Sequence, residues 1–155
     1  MKNHLFIIII LFTSSLTAQC VSGNCNNGYG VKKYKDGTMY VGEWWNNQAS
    51  GQGTVIWPDG SIYVGKFIKG RYDGEGTLLT ENNFYVGEFY KNLPDGSGSM
   101  FTNEGVYIGE FKNGKMSGKG FFQHLDGTIE ESLWKDGKAV GNVFIKRENY
   151  ILRKE

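Results

Sequence analysis

A tyrosine that recurs at an almost constant interval is the feature that most constrains the fold of this chain. Successive copies lie 23, 22 and 22 residues apart. A glycine stands two residues after each tyrosine and an aromatic residue two further on, and a Gly-x-Gly element begins eleven residues after the tyrosine. A fixed period in this range indicates a repeat architecture in which each unit stacks on its neighbours. The tyrosines and the glycines that follow them are Tyr40 and Gly42, Tyr63 and Gly65, Tyr85 and Gly87, and Tyr107 and Gly109.

The array has an atypical copy at each end. A half unit begins at Gly28, and a fifth unit begins at Glu130, where Ser132 replaces the first glycine. Terminal units of repeat arrays are usually atypical because one of their sides faces water. The chain has 23 glycines in 155 residues, about twice the average usage. Because these glycines recur at fixed places, they indicate a defined backbone geometry rather than a flexible linker.

Two positions in each unit accept only glycine or asparagine, the residues that best tolerate positive φ. We therefore predict two left-handed turn positions per unit, one at each chain reversal. The segments between them are about five residues long, which suits strands and is too short for helices. Each unit is thus predicted to be a β-hairpin. The first turn position is occupied by Asn47, Gly70, Asn92, Gly114 and Gly137, and the second by Gly37, Gly60, Asn83, Gly105 and Gly127.

Alternation along the strands assigns the side chains to two faces. The tyrosine, the glycine and the second aromatic share one face, on which the glycine leaves room for rings to lie across the backbone. Val41, Val64 and Val86 lie on the other face. Since a single hairpin is at best marginal in water, the units must support one another. The predicted fold is all-β: an elongated, twisted antiparallel sheet of tandem β-hairpins, about five units long.

This pattern resembles the MORN (membrane occupation and recognition nexus) repeat, roughly Y-x-G-E-x-x-x-G-x-x-x-G-x-G-x-x-x-x-x-D-G. The resemblance covers about Gly28 to Val143, with departures that include Lys66 for the glutamate and Asn82-Asn83 for the Asp-Gly. It implies a sheet of consecutive hairpins and a role in binding or scaffolding: protein interaction, dimerisation in some members, or attachment to membrane phospholipid. The unit that starts at Tyr107 matches the pattern at Tyr107, Gly109, Glu110, Gly114, Gly118, Gly120, Asp126 and Gly127.

The N-terminus has the layout of a secretory signal. Lys2 precedes an apolar run at positions 5–12, and small and polar residues follow up to Ala18, as in signal peptides. We expect residues 1–18 to be removed and the protein to be exported to the periplasm, the cell surface or the medium. An uncleaved anchor is the alternative, although the run is too short to span a bilayer.

Two cysteines, Cys20 and Cys25, follow the expected cleavage point. In an oxidising compartment they can form a disulfide, so residues 19–27 are interpreted as a cysteine loop. Lipid attachment at Cys20 is a disfavoured alternative because Gln19 stands where lipoproteins carry a small residue. Two cysteines without a nearby histidine do not make a metal site. The repeat domain is then residues 28–145, and residues 146–155 form a charged tail with room for one more edge strand at Tyr150 to Leu152.

Catalytic residues are not indicated, and neither is a cofactor or a bound metal. His124 is the only histidine beyond the leader, and its counterparts in other units suggest a core or rim substituent rather than a base. Glu43, Glu88 and Glu110 recur in register, which indicates structural residues that pair across strands with lysines such as Lys66. The Gly-x-Gly elements open no helix and so cannot present a helix N-terminus to a phosphate.

Charge excludes a strongly basic surface. Lys and Arg total 17 and Asp and Glu 16, and removing Lys2 with the leader leaves 16 of each sign. This balance argues against nucleic acid as a partner.

The face opposite the tyrosines carries the candidate binding residues. Trp45, Ile68 and Tyr90 share this face with the three valines, whereas later units carry lysine at the same place. Both faces are therefore predicted to be apolar over the first three units, and a contiguous exposed apolar patch usually marks a contact surface. We expect this face to meet a protein partner or a second copy of the chain; packing of the face under the C-terminal tail is the alternative. A phospholipid-binding module is the rival function, disfavoured by the zero formal charge and the lack of an amphipathic helix.

Overall fold

The structure is a computed structural model that describes residues 18–147, with side chains described through residue 140. The signal peptide predicted at residues 1–18 therefore lies outside the described residues except for Ala18, and so does the edge strand expected at Tyr150 to Leu152. The described residues contain no helix, and hence none long enough to cross a membrane.

Twelve strands pair in chain order into one antiparallel sheet. Five consecutive hairpins, β3–β4 through β11–β12, contain the repeats, and β1 and β2 precede them. This confirms the predicted all-β array of tandem hairpins. The strands are β1 (Gln19–Gly23), β2 (Gly28–Lys33), β3 (Met39–Trp45), β4 (Gln48–Ile56), β5 (Ile62–Ile68), β6 (Arg71–Leu79), β7 (Phe84–Tyr90), β8 (Leu93–Phe101), β9 (Gly105–Lys112), β10 (Lys115–His124), β11 (Thr128–Lys135) and β12 (Lys138–Arg147).

The turn inside each hairpin, here called the tip turn, has two successive residues with positive φ. Only the second was predicted. A two-residue turn with positive φ at both central positions is the type that matches the twist of an antiparallel pair, so the residue before each glycine or asparagine must adopt it too. The pairs are Asn46–Asn47, Lys69–Gly70, Lys91–Asn92, Asn113–Gly114 and Asp136–Gly137.

The loops between hairpins come in two lengths, and the prediction was wrong at Asn83, which does not have positive φ. In the longer loop, Trp57 N donates to Ser61 O at 3.0 Å, whereas Thr80 N donates to Asn83 O at 2.8 Å. The loops before β7 and β9 are thus one residue shorter, and the carbonyl groups of Asn83 and Gly105 close them. The same difference explains why the spacing of the tyrosines is 23 in one interval and 22 in the others.

A β-bulge interrupts every hairpin at the same place. Gly42 pairs with Gly53 and Trp44 with Ala49, so Glu43 alone lies opposite three residues of β4. Gly51, in the middle of these three, has a φ of +73°. The register shifts at the equivalent point of the other four hairpins. The first glycine of each Gly-x-Gly therefore lies in a bulge, which bends and twists the strand.

The second glycine of each Gly-x-Gly lies in a row that crosses the sheet. Pairing joins nine glycines from β2 to β10, and Ser132 of β11 ends the row. The rings of the four repeat tyrosines lie directly over this row and are 0–2% exposed. An alanine Cβ at Gly53 would come 2.3 Å from Tyr40 Oη, closer than real contacts allow. The glycines of the row are Gly30, Gly42, Gly53, Gly65, Gly76, Gly87, Gly98, Gly109 and Gly120.

Candidate interaction surface

The face that carries the tyrosines, called the ring face, is covered by a continuous ladder of aromatic rings. Each tyrosine contacts the aromatic residue four positions later in its own hairpin and the equivalent residue of the next hairpin, edge to face, with centroids 4.8–5.3 Å apart. Such pairs stabilise beyond the area they bury. The predicted aromatic stripe is thus a ladder that links every repeat to the next. Its members are Trp44, Tyr40, Phe67, Tyr63, Phe89, Tyr85, Phe111, Tyr107 and Trp134.

The polar atoms of the ladder donate hydrogen bonds to backbone carbonyl groups. Tyr85 Oη donates to the carbonyl of Glu88 at 3.0 Å, and the other three tyrosines make the equivalent bond. Trp44 and Trp134 each donate Nε1 to a glycine carbonyl at 3.1 Å. Burial raises the pKa of all four phenols, that of Tyr107 to about 12, because the ionised form would lose its hydration. These hydroxyls therefore serve as structural donors.

The recurring glutamates hold the bulges, and the prediction that they pair with lysines was wrong. Glu43 Oε1 accepts a hydrogen bond from Gln52 N at 2.8 Å, and Glu88 Oε2 accepts one from Ser97 N at 2.8 Å. Glu110 makes the equivalent bond to Lys119 N at 3.3 Å. The bulge leaves these backbone N–H groups without a partner on the adjacent strand, so a carboxylate on that strand satisfies them.

The opposite face, called the open face, consists of in-register rows of side chains with no layer over them in the described residues. The central row contains Val41, Val64 and Val86, paired through intervening Thr and Ser residues, and it continues to Ile108 and Phe121. A second row near the loops is apolar over nine strands except at Gln123. Its members are Met39, Ile56, Ile62, Leu79, Phe84, Phe101, Val106, Gln123 and Ile129.

The third row, called the tip row, contains the residue that ends the first strand of each hairpin. Trp45 is 65% exposed, Tyr90 50% and Ile68 40%. In the last two hairpins the same place is taken by Lys112 and Lys135. The structure thus places all three predicted anchors on one edge of the open face. A row of charged side chains, Glu43, Lys66, Glu88 and Glu110, separates them from the row that contains the three valines, of which Val64 and Val86 are exposed and Val41 half-buried.

The apolar surface extends further than predicted. A groove of 660 Å³ lies on the open face near the C-terminal hairpin, and its apolar lining is Ile108, Phe121, Leu133 and Val140. These side chains alternate with the buried ring-face residues in the fourth and fifth units just as the valines do in the earlier ones. This alternation is present in the sequence. The predicted patch ended at the third unit because the fourth and fifth units carry lysine in the tip row.

Other candidate chemistry is sparse in the part of the chain that the structure describes. His124 Nε2 lies 3.5 Å from Glu130 Oε2, and its ring is 4.7 Å from that of Phe122, at the loop rim of the ring face. Among the described residues, no three His, Cys, Asp or Glu side chains are grouped as a metal site would require.

A disulfide joins Cys20 of β1 to Cys25, as predicted. It closes the turn between β1 and β2, whose pairing adds a strand to the first half unit. All five residues of β1 are exposed, so this edge strand is held by its backbone pairing with β2 and by the covalent link.

Comparison with known families decides what the array is. A family model described as MORN repeat matches residues 27–39, 40–62, 63–83, 85–106 and 107–129. The chain belongs to the MORN-repeat family. No curated protein matches it. All but the first two residues of the hairpin formed by β11 and β12 lie beyond the matched residues, yet this hairpin keeps the bulge and the aromatic contact, with Trp134 5.1 Å from Tyr107. MORN repeats often occur in proteins that bind other proteins or membranes.

Proposed function

We propose that this MORN-repeat protein is exported and acts without enzymatic activity as a protein-interaction scaffold, through the open face. The observation that carries the proposal is the contrast between the two faces. The ring face covers its own backbone, because its tyrosines are almost fully buried although no second layer lies over them in the described residues. The open face leaves apolar side chains to water, among them Trp45, Leu133 and Tyr90, each at least half exposed.

Domains are normally built from two packed layers around one core. Here the ring ladder replaces the second layer on one side only. An exposed apolar face of this extent usually marks a contact surface, and Trp and Tyr are the side chains that most often anchor protein interfaces. The open face therefore has the character of one half of an interface.

Phospholipid binding is the weaker alternative. An anionic membrane would be attracted by a surplus of cations, but the chain has 17 basic and 16 acidic residues, and loss of Lys2 with the leader would leave 16 of each. In flotation with vesicles of anionic lipid, a scaffold stays in the soluble fraction and a membrane module floats.

Export rests on the leader pattern and is supported by the Cys20–Cys25 disulfide, since such bonds persist in oxidising compartments. Intact-mass analysis of protein from the cell envelope tests it: a mature N-terminus at Gln19 is expected. Retention of residues 1–18 would contradict export, whereas a lipid adduct on Cys20 would be consistent with export but would contradict the cleavage after Ala18 and the Cys20–Cys25 disulfide.

The central test is a double variant, Trp45→Lys with Tyr90→Lys. Both side chains are exposed, so the circular dichroism of the array should be unchanged while capture of the partner from the native envelope, followed by mass spectrometry, is lost. The matched control is Asn82→Lys with Asn103→Lys, which adds the same charge to exposed loop residues at the other edge of the sheet. Equal capture by both variants would reject the open face as the binding surface.

A further inference from the structure

We propose that the ring face carries a binding site for a neutral saccharide, in a cavity near the N-terminal end of the sheet. The cavity has a volume of 450 Å³, and small-molecule sites usually have about 300–1,000 Å³. It lies on the face opposite the candidate interaction surface, so this proposal is independent of the proposed function. Buried ladder residues line the cavity together with Tyr34, Asp36, Thr38, Trp57, Tyr72 and Asn92.

Three aromatic residues at the cavity depart from the repeat. Trp57 directly follows β4, whereas the equivalent residues after β6 and β8 are Thr80 and Thr102. Tyr34 holds the same place after β2, and Tyr72 stands where the other hairpins carry alanine, proline or methionine. Departures from the pattern that specifies a fold are expected at functional sites. These three rings are therefore candidates for a function that belongs to this place in the array.

A second cavity, at the equivalent place two hairpins later, shows what the repeat itself provides. Its volume is 250 Å³, and Thr102 and Met116 line it at the places of Trp57 and Tyr72. In the first cavity the rings are held by one another. Trp57 contacts Tyr72 edge to face with centroids 6.4 Å apart, and Tyr72 stacks on Tyr63 at 3.8 Å. The first cavity is thus larger and has preorganised aromatic walls.

Polar groups with free hydrogen-bonding capacity share the cavity with these rings. Thr38 is 8% exposed, and its Oγ1 has no hydrogen-bond partner in the part of the chain that the structure describes, although buried hydroxyls normally have one. Rotation about the Cα–Cβ bond of Thr38 can turn this hydroxyl towards a ligand. Asp36 accepts from Thr38 N through Oδ1, and Asn92 accepts from Tyr72 N through Oδ1. Asp36 Oδ2 and the NH₂ group of Asn92 are left for a ligand.

A pyranose ring matches this combination of groups. One face of the sugar presents C–H groups, whose partial positive charge is attracted to the negative face of an aromatic ring. Each sugar hydroxyl both donates and accepts, so it can bond to the Asp36 carboxylate or to the Asn92 amide. Burial and the nearby carboxylate of Asp36 raise the pKa of Tyr34, so this phenol stays protonated and able to donate at neutral pH.

Two other classes of ligand suit the cavity less well. Aromatic rings can surround a quaternary ammonium group, but Lys32 Nζ already lies 5.7 Å from the centroid of the Tyr34 ring and would repel a second cation. A proline-rich peptide offers carbonyl acceptors but no N–H donors at its prolines. It would therefore leave the carboxylate of Asp36 without a donor.

The indole signals in NMR spectra of the ¹⁵N-labelled chain test the site. The chain has four tryptophans, and the probes are tetrasaccharides of glucose, mannose and N-acetylglucosamine, titrated into the millimolar range. At least one probe should shift the indole signal of Trp57 in a saturable way and leave that of Trp45 in place. Choline and a proline-rich peptide are titrated in parallel. The proposal is wrong if no saccharide shifts Trp57, if Trp45 shifts instead, or if choline or the peptide binds more tightly.

A double variant removes the aromatic walls. Trp57→Thr with Tyr72→Met gives the cavity the residues of its later counterpart, so circular dichroism should be unchanged while saccharide affinity, followed by backbone amide shifts, falls at least tenfold. The matched control is Trp45→Lys with Tyr90→Lys on the open face, which should bind the saccharide as the native chain does. Native affinity in the cavity variant, or a loss of affinity in the control, would overturn the proposal.

Thr38→Val tests the unpartnered hydroxyl with almost no change of shape. Saccharide affinity should fall about tenfold, as for the loss of one hydrogen bond. The midpoint of thermal unfolding should stay the same or rise, because the variant removes a buried hydroxyl that has no partner in the free protein. A variant that is less stable and binds as tightly as the native chain would show that this hydroxyl serves the fold and not the ligand.

Discussion

The glycine row leads to a specific prediction at Gly98. This residue does not have positive φ, so the position requires glycine only because a side chain would not fit. A Cβ there would lie 2.4 Å from Tyr85 Oη and 2.7 Å from two of its ring carbons. Gly98→Ala therefore forces the ring away from the sheet. The ring cannot yield freely, because Phe89 and Phe111 lie edge-on at 5.1 and 4.9 Å.

The magnitude follows from three contributions. Overpacking a tight site costs about 1–3 kcal/mol, and weakening the Tyr85 Oη bond to the Glu88 carbonyl costs about 1 kcal/mol more. Alanine recovers roughly 0.5–1 kcal/mol relative to glycine through the unfolded chain. The free energy of unfolding should fall by about 2 kcal/mol, measured by urea denaturation with tryptophan fluorescence.

A double-mutant cycle isolates the cause. In a Tyr85→Ala background the ring is absent, so adding Gly98→Ala should cost less than about 0.5 kcal/mol. Ser99→Ala, one residue further along the same strand but on the open face, serves as the control and should change stability by no more than about 0.5 kcal/mol. An equal loss from Gly98→Ala with and without the tyrosine ring would refute the reasoning.

Three further predictions follow from the same contacts. Glu88→Ala should lower the free energy of unfolding by about 1 kcal/mol, because it leaves the bulge N–H without an acceptor. Lys66→Ala, at the equivalent place in a hairpin without that carboxylate bond, should change the free energy of unfolding little. Equal losses would contradict the role of the carboxylate. Because burial raises the tyrosine pKa values, that of Tyr107 to about 12, the folded state retains phenol protons that the unfolded chain releases above its pKa of about 10. Stability should thus be intact below pH 10 and fall as the pH rises beyond it. The four buried phenols should ionise only together with loss of circular dichroism; their ionisation near pH 10 with the fold intact would contradict this. Reduction of the Cys20–Cys25 disulfide should raise amide exchange in β1 and leave the array from β3 onward protected; loss of protection throughout would show that the link supports the whole sheet.

Much of this fold could be predicted from the sequence because each repeat position has one dominant physical requirement. The tyrosine period predicted the units, the glycine and asparagine positions predicted the tip turns, and alternation correctly separated Tyr63 from Val64. These are local properties of the chain. A strand must alternate and a tight reversal must have positive φ, wherever the segment lies.

What could not be predicted depends on the register between strands. Gly51 and Gly53 look equivalent in the sequence, yet Gly51 forms a bulge at φ +73° and Gly53 makes room for Tyr40. The partner of Glu43 follows from the same bulge, since the N–H that it satisfies is exposed only once the register shifts. Asn83 was misplaced for a similar reason: the tyrosine spacing shows that its loop is one residue shorter, but only the hydrogen bond from Thr80 N to its carbonyl shows that it closes the loop.

The candidate surface was predicted in part. Trp45, Ile68 and Tyr90 could be identified because a sheet face turned to water is expected to carry polar side chains, and these three are apolar or aromatic. The patch was predicted over the first three units only, so Phe121 and Leu133 were not included, although alternation had placed Ile108 on the same face as the valines. Lateral pairing between strands brings Ile108 and Phe121 together, and they line one groove with Leu133.

The ring ladder explains why one layer of sheet can exist with an apolar face left open. In most antiparallel sheets a second layer covers the apolar side, and the free side is polar. Here the glycine row leaves space for the tyrosine rings to lie flat on the backbone. The rings are thereby buried although no other element of the described residues covers the ring face. The apolar side chains of the open face, Val64, Val86, Ile108 and Phe121 among them, lie outside that ladder and stay exposed. This contrast between a face that covers itself and a face that does not is the observation on which the proposed interaction surface rests.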